Sequence, residues 1–209
     1  MKTALIIDDH PVTHLGCGQL LRELEYSQVL EALTDQDALS LAKAHTPTLI
    51  VLDLGMPGLG GLNLIEPLLR HVPAARILVF SMNEQAVFVA KALSAGAAGY
   101  LTKNSGPEQF HAAVQALEAG KVYLEHEMAM AVATSKIGGH ADPLSMLSER
   151  EYQVLRLLGQ GDDLQKIADA LRVSYKTAAN TSSAIKKKLG ARNTTELIRY
   201  AISAGVVDN

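Results

Sequence analysis

The chain of 209 residues, 48% hydrophobic and 20% charged, has room for one large or two modest domains, and its composition excludes a disordered or fibrous protein. A single cysteine, Cys17, excludes an intramolecular disulfide and a cysteine zinc cluster, so a reducing cytoplasm is the expected compartment. The net charge of −3 conceals an asymmetry: residues 1–143 carry 9 Lys and Arg against 15 Asp and Glu, or −6, whereas residues 144–209 carry 10 against 7, or +3. The second part could face a polyanion, but such an imbalance also arises by chance in a small domain, and charge alone favours neither reading.

In chain order, the first apolar run, residues 4–7, is cut off by Asp8 and Asp9, which predicts a strand and neither a signal peptide nor a membrane span. Residues 49–52 and 77–80 are similar runs, too short for helices and without strict alternation, as expected of parallel strands buried on both faces. Weaker strands are predicted at 28–32 and 99–101. Helical periodicity fills the intervals at 12–24, 37–44, 62–69, 84–95 and 107–119. Right-handed crossovers would wind these five units into an open α/β sheet with helices on both faces. We therefore read residues 1–122 as one domain and 123–143 as a linker with some helical content, because Gly138-Gly139 and Asp142-Pro143 have turn chemistry. Residues 144–209 read as a small all-α unit of four helices, at 149–158, 164–171, 175–189 and 195–204.

In an open parallel sheet the carboxyl ends of the strands converge on one edge, where ligands bind. Here those ends carry Asp8 and Asp9, Asp53, Ser81 and, two residues past the fifth strand, Lys103. Three carboxylates brought together repel one another unless a divalent cation sits among them, and magnesium is the natural guest. One carboxylate can then act as nucleophile in phosphoryl transfer, with a hydroxyl and an ammonium neutralising the equatorial oxygens. Any one of these residues alone would read as a helix cap or solvated loop group; five at four strand ends do not.

With these residues in place, residues 1–122 resemble the receiver domain of two-component response regulators. The likeness rests on Ile6-Ile7-Asp8-Asp9-His10, on Asp53-Leu54-Gly55-Met56-Pro57-Gly58 with Gly61, and on Ser81 and Lys103. The resemblance implies a flavodoxin-like doubly wound five-stranded parallel sheet and a phosphoryl group accepted on Asp53 from a histidine kinase. It further implies Mg2+ held by Asp8, Asp9, Asp53 and the Gly55 carbonyl, stabilisation by Ser81 and Lys103, and a switch at Tyr100. On its own residues, Tyr100 reads equally well as a half-buried strand aromatic. Gly55 and Asn83 offer little bulk over the phosphoryl group, so a short-lived phosphoaspartate is expected.

In the second unit Leu164, Ile167, Ala168 and Leu171 mark one amphipathic helix, and Ala178, Ile185 and Leu189 the inner face of the next. Asp163 and Ser174 stand where N-caps belong and Gly190 where a helix stops. Residues 147–201 resemble the LuxR-type helix-turn-helix of the NarL/FixJ family through Leu147-Ser148-Glu149-Arg150-Glu151, Ile167-Ala168, Ser174-Tyr175-Lys176-Thr177 and the run from Lys188 to Leu197. That resemblance implies double-stranded DNA as partner, a homodimer on DNA and contact with RNA polymerase. Positions matching the family's base contacts hold Ala179, Asn180 and Ser183; Asn180 can pair bidentately with adenine and Ala179 can meet a thymine methyl. Lys176, Thr177, Lys186, Lys187 and Arg192 suit phosphates. Ala178, Ala179 and Thr181 depart from the family's usual valine, lysine and histidine.

Two other functions compete. The plain outward face of the second unit would suit a dimerisation or protein-interaction module that reads no DNA sequence. An aspartyl-phosphate hydrolase would need a general acid two residues after Asp53, where Gly55 stands. His10 and His14 lie four apart, but Pro11 intervenes and no third ligand is evident, so both read as helix-start residues; Cys17 reads as a buried small hydrophobe.

Overall fold

A computed structural model describes residues 2–56, 60–137, 143–204 and 206–207. Pro57 and Gly58 of the phosphoacceptor-loop motif, and the linker residues Gly138, Gly139 and Asp142, lie outside the described residues. The chain divides into two compact units, Met1–His140 and Ala141–Asn209.

The first unit is a parallel sheet of strands β1 (Thr3–Ile7), β2 (Gln28–Ala32), β3 (Leu49–Leu52), β4 (Arg76–Ser81), β5 (Gly99–Thr102) and β6 (Tyr123–Leu124), in the order β2-β1-β3-β4-β5-β6. Strands β3 and β5 are buried at every position, and burial on both faces is why β3 runs apolar instead of alternating. Five strands were expected and six are found. The sixth pairs only Tyr123 with Gly99 and Leu124 with Tyr100, a two-residue ladder too short to leave a periodicity in the sequence.

Helices α1 (Pro11–Glu23), α2 (Asp35–His45), α3 (Gly61–His71), α4 (Ala86–Ser94) and α5 (Pro107–Glu118) connect the strands. Pro11 and Pro107 open α1 and α5, where a missing N–H costs nothing and the fixed φ favours the helical turn. Phe110, Ala113, Val114 and Leu117 of α5 and Cys17 and Leu21 of α1 pack with Ala4, Ile6, Leu49, Val51, Leu78 and Leu101 into one core. A further helix, α6 (His126–Ile137), lies in the span read as a linker; it packs on α4 through the buried Met128 and Val132 and belongs to the first compact unit.

The second unit begins with a 3-10 turn, Pro143–Met146, followed by α7 (Glu149–Gly159), α8 (Leu164–Ala170), α9 (Tyr175–Leu189) and α10 (Thr194–Ser203). Each of the four α-helices carries a side-chain N-cap: Ser148 with a reciprocal Glu151 capping box, Asp163, Ser174 and Asn193. At about 1 kcal/mol per cap, these define helix starts in a unit too small to rely on its core alone. A Cβ on Gly159 would stand 2.9 Å from that of Ala201, so glycine permits the close approach of α7 and α10.

Candidate functional site

Register brings the acidic residues together. The Asp53 backbone N–H donates to the Ile7 carbonyl at 2.9 Å and that of Lys103 to the Ser81 carbonyl at 2.9 Å, so the ends of β1, β3, β4 and β5 are knitted into one edge. There the Lys103 ammonium stands 2.7 Å from Asp8 Oδ2 and 3.1 Å from Asp53 Oδ2. Both carboxylates are enclosed, Asp8 at 2% and Asp53 at 5% exposure. Burial pushes the Asp53 carboxyl above the usual carboxylate range; Lys103 opposes that shift and the Asp8 charge adds to it. For Lys103, burial disfavours the charge but Asp53 and Asp8 outweigh it, and its pKa is raised. The lysine thus remains a cation between two acids.

The loop after Asp53 is shaped by glycine. The Gly55 N–H donates to the Asp53 carboxylate. At Gly61 a Cβ would fall 2.1 Å from the Asp53 carbonyl oxygen and 2.6 Å from Leu54 Cα, an overlap with backbone that no side chain can relieve. Glycine at 61 is therefore what lets α3 begin directly against the strand end.

Ser81 and Tyr100 meet through one residue, on its two flanking peptides. Ser81 Oγ accepts from the Asn83 N–H at 3.2 Å, and the Tyr100 hydroxyl donates to the Asn83 carbonyl at 2.7 Å. The Tyr100 ring is fully buried, not half-buried, and already faces inward. Asn83 is itself buried, and its Oδ1 accepts from the Gln85 N–H at 2.8 Å just before α4. That side chain shapes the β4–α4 connection.

Two residues read as helix starters belong to the pocket. His14 is buried and its Nε2 lies 2.7 Å from the Asp8 carbonyl oxygen, which makes Nε2 the protonated nitrogen. His10 turns its ring onto the acids, with Nδ1 3.0 Å from Asp8 Oδ1 and 3.0 Å from Asp9 Oδ1. The signal in the sequence is adjacency to the acidic pair, which the four-residue spacing of His10 and His14 obscures. Asp8, Asp9, His10 and Asp53 can each turn a donor atom into a cluster in which all lie within 4.8 Å of one another. Asp9 Oδ1 is buried and accepts no hydrogen bond from the described residues. A pocket of this kind fits a hard divalent cation, which supplies the missing partner and offsets the crowded negative charge. Cys17 lies buried nearby, its thiol pushed up to about 12 by burial and the Asp8 charge, so it is inert packing.

In the second unit α8 and α9 form the helix pair. Between them Arg172 is left-handed at φ 51°, the Val173 N–H returns to the Ala168 carbonyl at 2.9 Å, and Ser174 caps α9 by accepting from the Thr177 N–H. Gly190 ends α9 at φ 69°. Ala178, Ser182 and Ile185 face inward, leaving Lys176, Thr177, Asn180, Ser183 and Lys187 exposed, with Ala179 and Lys186 partly so. Several of the polar groups are engaged. Ser183 Oγ donates to the Ala179 carbonyl and Thr181 Oγ1 to the Thr177 carbonyl, while Thr177 Oγ1 meets Ser174 Oγ at 2.8 Å. Among the described residues the Asn180 amide makes no side-chain hydrogen bond and remains available. The lysine run divides: both Lys187 and Lys188 are exposed, but Lys188 Nζ is 2.6 Å from Glu151 Oε2 whereas Lys187 has no ion pair among the described residues. Arg192 is exposed beyond the helix end. Tyr175, 54% exposed at the first position of α9, adds an aromatic edge that periodicity could not single out.

Comparison with known proteins agrees with both units. Residues 4–115 match the response regulator receiver domain, and residues 145–201 match the bacterial regulatory proteins of the luxR family. The response regulator GacA of Pseudomonas aeruginosa is 33% identical over 211 residues, covering 100% of this chain and 99% of its own. The transcriptional activator protein ExaE of Pseudomonas putida is 34% identical over 207 residues, covering 97% of each. The methanol utilization control regulatory protein MoxX of Paracoccus denitrificans is 34% identical over 196 residues, 93% of this chain and 88% of its own. Among solved structures, a complex of the response regulator RcsB with DNA aligns with a TM-score of 0.59 at 27% identity over 98% of both chains. No helix among the described residues is long and apolar enough to cross a membrane. The chain belongs to the NarL/FixJ family of response regulators: a receiver domain joined to a LuxR-type helix-turn-helix, a DNA-binding regulator of transcription.

Proposed function

We propose that Asp53 is the phosphoacceptor. An Asp53 carboxylate oxygen attacks the phosphorus of a phosphohistidine on a cognate sensor kinase; the new P–O bond forms as the P–N bond breaks, and the imidazole leaves with its electron pair. The observation that carries this reading is Lys103 bridging the buried Asp8 and Asp53 carboxylates, an ammonium held where phosphoryl oxygens would gather charge. Asp8, Asp9, Asp53 and the Gly55 carbonyl would hold Mg2+, which when bound neutralises the acceptor's surroundings and the incoming phosphoryl charge. Ser81 serves as the hydroxyl partner. Drawing Ser81 Oγ toward a phosphoryl oxygen releases the Asn83 N–H, and because Tyr100 holds the other side of that residue, the β4–α4 connection reorganises.

The output is DNA affinity. Asn180 is the base reader, with Ala179 and Ser183 beside it, and Lys176, Thr177, Lys186, Lys187 and Arg192 hold phosphates of a duplex in the cytoplasm, bound as a homodimer in reach of RNA polymerase. The test treats the protein with a small-molecule phosphodonor and Mg2+ and compares it with Asp53→Ala for phosphate incorporation and DNA affinity. Incorporation and a rise in affinity, both lost in the variant, are expected. Incorporation that persists in Asp53→Ala overturns the assignment.

A further inference from the structure

A cavity lies at the amino edge of the receiver sheet, opposite Asp53, where β1, β3 and β4 begin. Its volume is about 450 Å3, a size that suits a small organic ligand. Separate stretches of chain wall it: Leu49, Ala74 and Leu117 supply apolar surface, and Lys2, Arg76 and Glu118 the charges. In a parallel sheet this edge also gathers helix C-termini, whose carbonyls attract cations. Lys2 is engaged in that way. Its Nζ donates to the Leu24 carbonyl at 3.3 Å, stands 2.9 Å from Glu118 Oε1 and lies 5.4 Å from the centre of the Tyr26 ring. Burial and a hydrogen bond to Glu118 raise the pKa of the Tyr26 hydroxyl, so it stays neutral beside that carboxylate. Glu118 is therefore satisfied by its own neighbours. Arg76 has no such partner. Its Nη2 donates to the Lys121 carbonyl at 3.2 Å, but Nε is buried without a hydrogen-bond acceptor, and no carboxylate pairs with the guanidinium among the described residues. A buried donor left without an acceptor is rare in a folded protein and asks for one from outside the chain.

We propose that this cavity binds a small amphipathic monocarboxylate, its carboxylate on Arg76 and its apolar body along Leu49, Ala74 and Leu117. A guanidinium presents parallel N–H groups that match the two oxygens of a carboxylate. With Lys2 and Glu118 cancelling, one positive charge remains in the cavity, and one negative charge balances it. A dianion would add repulsion from Glu118 with nothing to offset it. An inorganic anion would leave the apolar walls wet, whereas a hydrocarbon body covers them.

The test uses the full chain without divalent ions and octanoate as probe, below its micelle concentration. Octanol serves as the same chain without the charge, and inorganic phosphate as the charge without the chain. Calorimetry should read saturable one-to-one binding of octanoate and no binding of phosphate. Octanol should bind at least about tenfold more weakly than octanoate, as fits the loss of a charge-assisted hydrogen bond. Backbone amide resonances should move at Leu49, Arg76 and Leu117 and stay still at Asp53 and Lys103. Arg76→Gln should weaken octanoate by a similar factor and leave octanol unchanged. Equal affinity for octanoate and octanol, phosphate bound as tightly as octanoate, no saturable binding, or resonance shifts centred elsewhere overturns the proposal. So does an Arg76→Gln protein that binds octanoate like the wild type. The three probes and the resonance map need only the wild type, so a variant that failed to fold would leave the test decisive.

Discussion

The pocket at the sheet edge and the outward face of α9 are built on opposite plans. In the pocket the central charges are enclosed and hold one another: Lys103 bridges the buried Asp8 and Asp53, the half-exposed His10 ring leans on Asp8 and Asp9, and glycine at 61 admits no side chain. On the outward face of α9 the polar groups meet solvent, two hydroxyls are returned to their own helix, and one amide, Asn180, makes no side-chain hydrogen bond among the described residues. Chemistry that must develop charge at a fixed point needs a preorganised, water-poor setting. Recognition of a long charged surface needs mobile cations at the rim and few fixed readers.

Four measurements would break or sharpen that contrast. The largest effect belongs to Gly61→Ala. Its Cβ would meet the Asp53 carbonyl, so loss of more than about 2 kcal/mol of receiver stability is expected, together with loss of phosphate uptake. A variant that melts and phosphorylates like the wild type would show the strand end to be plastic. Next comes Glu151→Ala, which removes the capping-box partner of Ser148 together with its ion pair to the solvent-exposed Lys188, at a cost of about 2 kcal/mol. Thermal melting should lower the transition of the second unit alone.

Third, Asn180→Ala and Lys187→Ala should separate reading from holding. The asparagine variant should lose about 1–3 kcal/mol of preference at one base pair, whereas the lysine variant should bind all duplexes more weakly and lower the salt slope by about one. Equal behaviour of the two would erase the distinction between the rim and the reader.

The smallest effect is a pH dependence. Because burial raises the folded pKa of Asp53, the folded metal-free protein binds a proton more tightly there than the unfolded chain does. The contribution of this group is fully present below the unfolded carboxylate pKa and is lost as pH rises through the folded one. Asp53→Asn should therefore melt higher than the wild type at neutral pH in the absence of divalent ions, with the gain vanishing in acid. A gain of equal size at every pH would assign it to something other than the buried charge.

Much of this was legible in the residues. The buried strands betrayed themselves as apolar runs, and strand-end positions for Asp8, Asp9, Asp53, Ser81 and Lys103 follow from parallel topology alone. Ser174, Asp163 and Gly190 punctuate the helix pair as their chemistry requires. Less legible were β6, two residues long, and α6, which buries Met128 and Val132 while Met130 is exposed and so shows no clear apolar stripe among the described residues. His10 escaped because its spacing to His14 suggested a pair, when its partners were the carboxylates beside it.

What the sequence determined by itself was the order of elements and the residues at their ends, because periodicity, caps and strand termini are local. The tertiary structure decided how each group is engaged, which depends on atoms distant in the chain. It joined Lys103 to both Asp8 and Asp53, tied Tyr100 to Asn83, turned Lys188 away from its neighbours to Glu151, and brought the His10 ring to the acids. Charge and hydrogen bonding act over a few ångströms, and only folding sets which groups lie that close.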